Sequence, residues 1–171
     1  MKKLVLVGLV LALSGGSVGA SVAQDNVKAQ IALGLAYLEG QGVPQDYGSA
    51  ANWFRKAADQ GAPLAQSMLG SLYYNGDGVP QDYAAAASWN RKAGDQGDAL
   101  AQANLGLLYA RGQGVPQDDV QAHKWSNLAA ARTAEPKIRG NAITTRDVVA
   151  ARMTPAQIAE AQRLASEWKP N

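Results

Sequence analysis

A unit of 36 residues recurs three times in this chain, over 29–64, 65–100 and from 101 to about 131, where the third copy drifts. Aligned without a gap, the first two copies agree at 22 of 36 positions. A fixed period of this length specifies stacked helix pairs. Each pair has an apolar face it cannot bury alone, and its neighbours supply the cover. The expected class is therefore all-α: an α/α solenoid, or superhelix, of three helix-turn-helix repeats with a C-terminal helical cap. Such folds usually bind rather than catalyse.

The first half of each unit reads as one helix. In copy two Ala65, Met68, Leu69, Leu72 and Tyr73 fall at helical spacing on one face. Ala29, Ala32, Leu33, Ala36 and Tyr37 hold the same phase in copy one, and Ala101, Leu105, Leu108 and Tyr109 in copy three. A glycine interrupts each helix, at Gly34, Gly70 and Gly106. Mid-helix glycine costs ~1 kcal/mol relative to alanine. Its recurrence at one phase predicts a backbone or a large ring where a methyl group would clash. The competing reading, a glycine that admits a ligand, has less behind it.

The helices are joined by Gly40-Gln41-Gly42, Gly76-Asp77-Gly78 and Gly112-Gln113-Gly114, each followed by Val-Pro-Gln-Asp. Glycine supplies the positive φ of a helix C-terminal cap. A phosphate-binding loop is excluded, because it needs Lys-Ser/Thr after the second glycine and a strand before the first. Pro44, Pro80 and Pro116 are expected at the start of the second helix, where a missing N–H is harmless. Asp46, Asp82 and Asp118 then favour its N-terminal dipole, which gives these recurrent acids a structural role.

The second helix, from about Asp46 to Asp59 in copy one, carries Ala50, Ala51, Trp53, Phe54, Ala57 and Ala58 as a stripe. Trp53, Trp89 and Trp125 recur at one phase. A buried tryptophan supplies ~150–250 Å² of contact, so these rings are expected to be the main wedges among small alanines; stacking on a ligand is the alternative. Gly61 and Gly97 close the second helices of the first two copies.

The pattern Ala-x-x-x-Leu-Gly-x-x-Tyr, then Gly-x-Gly-Val-x-x-Asp, then Ala-x-x-Trp-x-x-Lys-Ala and Gln-Gly, resembles the Sel-one-like repeat (SLR) family, a relative of the tetratricopeptide repeats. The resemblance covers residues 29 to about 131. It implies a superhelix whose concave face takes part in protein–protein contacts. Some cysteine-rich relatives were linked to β-lactams. Here cysteine is absent, so the Cys pairs of those relatives are missing and that activity is not carried over.

Copy three replaces the Arg-Lys-Ala and Asp-Gln-Gly segment with His123 to Ala131. Terminal repeats are atypical because a solenoid end must be closed by something soluble. Residues 134–171 are read as that cap, with a helical hairpin inside. Glu135-Pro136 opens a helix through Val148 and Val149. Thr154-Pro155-Ala156-Gln157 then supplies a capping signal ahead of Ile158, Ala161, Leu164, Ala165 and Trp168.

The domain plan is completed by residues 1–23, ahead of a repeat region over 24–133. Lys2 and Lys3 precede the apolar run Leu4 to Leu13, broken only by Gly8, and small residues follow. This is the pattern of a secretory signal peptide, with cleavage expected near Ala20 or Ala23. A retained anchor is the alternative, but the run falls short of the ~20 residues that span a bilayer. The expected location is periplasmic or secreted, with no stable membrane insertion after cleavage. The chain has 16 basic and 14 acidic residues; removing Lys2 and Lys3 leaves 14 of each. A neutral mature chain lacks the basic face that nucleic acid requires.

Catalytic, metal and cofactor sites are all expected to be absent. His123 is the single histidine, on a repeat helix without a nucleophile elbow, and no zinc set can be assembled. The first-helix positions that differ between copies are Ile31, Leu35, Leu38 and Glu39; Ser67, Ser71, Tyr74 and Asn75; and Ala103, Leu107, Ala110 and Arg111. By resemblance to tetratricopeptide repeats these line the concave face. Leu35, Leu38, Glu39, Ser71, Tyr74, Asn75, Leu107 and Arg111 are the candidate partner-binding residues, with Tyr74 and Arg111 of hot-spot type. The expected function is an exported adaptor that binds another protein or peptide. Its variants are an inhibitor or immunity-type binder of an exported enzyme and, from a different class, an envelope hydrolase.

Overall fold

The seven residues of the Gly-x-Gly-Val-Pro-Gln-Asp connection decide where the helices stop and start. The structure, a computed structural model, describes residues 18–171. The expected leader falls largely outside this span. Within it run α1 (Val18–Glu39), α2 (Tyr47–Asp59), α3 (Pro63–Asn75), α4 (Tyr83–Asp95), α5 (Ala99–Arg111), α6 (Asp119–Arg132), α7 (Pro136–Ala150) and α8 (Pro155–Glu167). No helix among the described residues is long and apolar enough to cross a membrane.

Each first helix ends on a left-handed glycine, with φ of +70° at Gly40, +79° at Gly76 and +63° at Gly112. The chain then returns to satisfy the helix's open carbonyls. Gln45 and Gln81 donate their amides to Leu38 O and Tyr74 O at 2.8 and 2.9 Å. Asp46, Asp82 and Asp118 donate their N–H groups to Tyr37, Tyr73 and Tyr109 at 2.9, 3.0 and 3.1 Å. The same aspartates cap the second helices, accepting from Gly48 and Ser49, from Ala84 and Ala85, and from Gln121. This corrects the place given to proline. An aspartate satisfies otherwise unpaired N–H groups better than proline avoids having one. The helix therefore opens after the acid, and Pro44, Pro80 and Pro116 lie in the extended approach to it.

The second glycine of each connection has a separate reason. A Cβ on Gly78 would sit 2.2 Å from the carbonyl carbon of Tyr47, and one on Gly114 2.1 Å from Tyr83 O. Each turn thus rests directly on the start of the preceding second helix. Around a Cβ on Gly42 there is nothing within 4 Å among the described residues.

The core is a chain of small clusters, one at each junction. The largest gathers Phe54, Leu69, Leu72 and five alanines between the first and second repeats. Ala86, Ala87 and Leu108 form the next, and Leu105, Trp125, Leu128 and Ala165 close the far end. The helical glycines sit where expected, though a ring fills only one of the three places. A Cβ on Gly34 would meet the Phe54 ring at 2.6 Å, on Gly70 the Asn90 amide at 2.5 Å, and on Gly106 the Ser126 hydroxyl at 2.2 Å.

Two sequence expectations are corrected here. Among the recurrent tryptophans Trp125 alone is buried; Trp53 and Trp89 are half-exposed, each beneath a lysine ammonium, Lys56 at 4.0 Å and Lys92 at 4.1 Å. Phe54, one residue on, is the wedge of the first repeat. The copy-one stripe also departs from its equivalents: Ala29 and Leu33 are exposed where Ala65, Leu69, Ala101 and Leu105 are buried, and Ala32 is exposed where Met68 is half-buried. The later helices pack against a preceding second helix; among the described residues α1 has none.

The tail differs from the expected hairpin. Helix α7 packs on α5 and α6, and α8 packs on α6, but the two do not pair with each other. Arg152 between them explains the separation. Its guanidinium binds both Asp119 carboxylate oxygens, at 2.8 and 2.6 Å, and Ala110 O at 2.9 Å. This fixes the link at the start of α6. From there α8 runs along α6 and sets Trp168 edge-on to Trp125, 6.3 Å between centroids. The capping box reads as the sequence has it, with Thr154 and Gln157 bonded reciprocally.

Candidate functional site

Close packing between first helices defines the inner side of the stack. Helix α3 touches α5 and α5 touches α7, whereas α2, α4 and α6 make no comparable contacts among themselves. The first helices are therefore crowded on the inside of the curve. Helix α7 continues their row as a fourth member.

The candidate residues do not form one site. Leu35 and Leu38 are half-buried against the first core cluster, and Glu39, exposed at the end of α1, accepts from the Gln41 amide. Ser71 donates to Ser67 O at 3.0 Å and accepts from the Asn104 amide at 3.1 Å. Asn75, at the end of α3, donates to Asp77 at 3.0 Å. Ser67 and Ala103, from the wider set of variable positions, are buried and belong to the packing.

Tyr74 and Arg111 come together. Arg111 Nη1 donates to Tyr74 Oη at 2.7 Å, and that hydroxyl lies 3.4 Å from Gln113 Oε1. The Tyr74 ring stands edge-on to Tyr83, centroids 5.4 Å apart. Arg111 is otherwise exposed and makes no ion pair among the described residues.

Beside this cluster α5 and α7 enclose a slot of about 310 Å³. Leu107 and Arg111 line it from α5, with Leu100, Ala103 and Asn104. Ile138, Asn141, Thr144 and Thr145 line it from α7. No acidic side chain is in its wall. Sequence reasoning assigned α7 to the cap and so missed these four residues. Their spacing of three, six and seven from Ile138 was the available signal, since it marks one helical face.

His123 is not among the residues that line the slot. It is buried beneath α7, its Nδ1 has no hydrogen-bond partner, and burial followed by the Arg146 charge holds its pKa below the ordinary 6.5 despite Asp147. Among the described residues no three His, Asp or Glu side chains converge as a metal site would require.

Comparison with known proteins agrees with this architecture. The Sel1 repeat profile matches residues 27–61, 63–98 and 99–133. The chain is similar to the crystal structure of a Sel1 repeat protein from Oxalobacter formigenes: 37% identity, TM-score 0.60, with 73% of this chain and 94% of that one covered. It is also similar to a protective antigen of uropathogenic Escherichia coli strains that displays an SLR fold, at 29% identity and a TM-score of 0.65. There 86% of this chain is covered, but it spans only 38% of the antigen's length. No curated protein matches. Sel1 repeats generally mediate protein–protein interaction. With three consecutive repeats matched over more than half of its length, the chain belongs to the Sel1 repeat family.

Proposed function

We propose that the protein is an exported scaffold that binds another protein through the inner face of its first helices. One observation carries this reading. Positions held constant between repeats are mostly consumed by packing and turn closure, whereas Ala103, Asn104, Leu107 and Arg111 on the α5 side of the slot, and Tyr74 beside them, lie where the copies differ. The fold is typically a non-catalytic interaction scaffold. Export is supported by Lys2, Lys3, the apolar run Leu4 to Leu13 and the small residues after it.

Site-specific photo-crosslinking tests the face. A crosslinker at Leu107 should capture a defined partner, and crosslinkers at exposed Asn52 and Ser88 on second helices should not. Equal capture from both faces would remove the inner-face assignment. Export is tested separately by sequencing the protein's N-terminus from the envelope fraction. The expected start is Ser21 or Gln24, and an uncleaved cytoplasmic chain would overturn it.

A further inference from the structure

The slot between α5 and α7 has a chemistry specific enough to describe its occupant. Arg111 at its edge is held in place by Tyr74 and keeps most of its five donors unspent. No carboxylate is paired with it among the described residues, and none lines the slot. Leu107, one turn along α5, and Ile138 on α7 both line the slot and give it an apolar floor. Polar groups suited to a peptide backbone stand beside it: the Asn141 amide and the Asn104 carbonyl oxygen, whose own amide is already bonded to Ser71 and Asn90.

Spacing narrows this further. Arg111 and Leu107 are separated by about 6 Å of helical rise. Side chains two apart on an extended peptide point the same way and are about 6.6 Å apart. An extended segment along α5 can therefore set an acidic group on Arg111 and an apolar group on Leu107 with one residue between them. A single cation over an apolar floor does not suit a polyanion, which spreads its charge over many contacts. The chain's own C-terminus is engaged elsewhere, with Asn171 N–H on Asp95 O at 2.9 Å and Trp168 against Trp125.

Building on the inner-face reading, we propose that the α5–α7 slot binds an extended segment of a partner protein bearing the pattern acidic–x–apolar. Selection from a displayed library of linear peptides tests this directly. Selected peptides should be enriched in Asp or Glu two positions from Leu, Ile or Phe. A selected peptide, acetylated and amidated, should lose about tenfold or more in affinity toward Arg111→Gln, judged by fluorescence anisotropy. It should lose as much when its acid is changed to the amide. Arg111 is exposed, and an unchanged melting temperature for Arg111→Gln confirms that the fold is kept.

Peptides that bind Arg111→Gln equally well, or only with a free C-terminal carboxylate, overturn the proposal, as does a library that yields no binder. Crosslinking separates this failure from failure of the wider reading. Peptides captured at Leu107 without acid selection leave the inner face standing and remove only the acidic pattern. Peptides captured only from the second helices remove both.

Discussion

At Gly70 the absence of a side chain is a packing requirement, not a concession to flexibility. The amide that fills the space, Asn90, is fully buried and donates to Ala86 O at 2.8 Å, so it cannot retreat without losing that bond. Gly70→Ala should destabilise the fold by about 1–3 kcal/mol in chemical denaturation. Gly140 makes the contrast: it lies in α7 with nothing within 4 Å of an added Cβ, and Gly140→Ala should stabilise by about 0.5–1 kcal/mol. His123 has a different signature. Its folded pKa is depressed, so below the ordinary 6.5 the unfolded chain takes up the proton more readily than the folded one. Stability is therefore unaffected well above that value and falls as pH drops through it. Melting temperature should decline between about pH 7.5 and about pH 5.5, and His123→Gln should flatten that slope. An unchanged slope would place the pH response in other groups.

Among the elements, helices built from repeat positions were readable because the same local signals recur. Gly40, Gly76 and Gly112 close the first helices, and Asp46, Asp82 and Asp118 open the second ones. The burial of a tryptophan was not readable, since it depends on what the chain later lays over it. Trp53, Trp89 and Trp125 occupy the same repeat position, yet only Trp125 receives a covering helix. The binding slot was legible by half. Leu107 and Arg111 stand at positions that vary between the copies. Ile138, Asn141, Thr144 and Thr145 belong to a helix with no repeat to depart from, so nothing local marks them as a wall. Helix α8 provides the test at this scale. Trp168→Ala should cost about 2 kcal/mol or more and shift Trp125 fluorescence to longer wavelength as water reaches the ring. Unchanged emission would mean that α8 does not shield Trp125.

For the whole molecule, stability is a sum of neighbouring junctions, because contacts seldom reach beyond the adjacent pair of helices. Deleting residues 134–171 removes the covers of Trp125 and Ala129 together. Hydrogen-exchange protection should fall first in α5 and α6 and then spread toward α1, with a lower melting temperature for all three repeats. A truncated chain that melts like the full one would refute a capping role for the tail. The two extremities are not equivalent. Beyond the third repeat, Arg152 and α8 occupy the ground on which another unit would have to land. At the first repeat, Gly42 still has the bare backbone that Gly78 and Gly114 use to seat against a tyrosine. Among the described residues the array is therefore closed after its last repeat and uncovered at Gly42 in its first. A duplicate of residues 65–100 spliced ahead of residue 29 would find a ready berth, whereas the same insert after residue 133 would have to evict the tail before it could join the row.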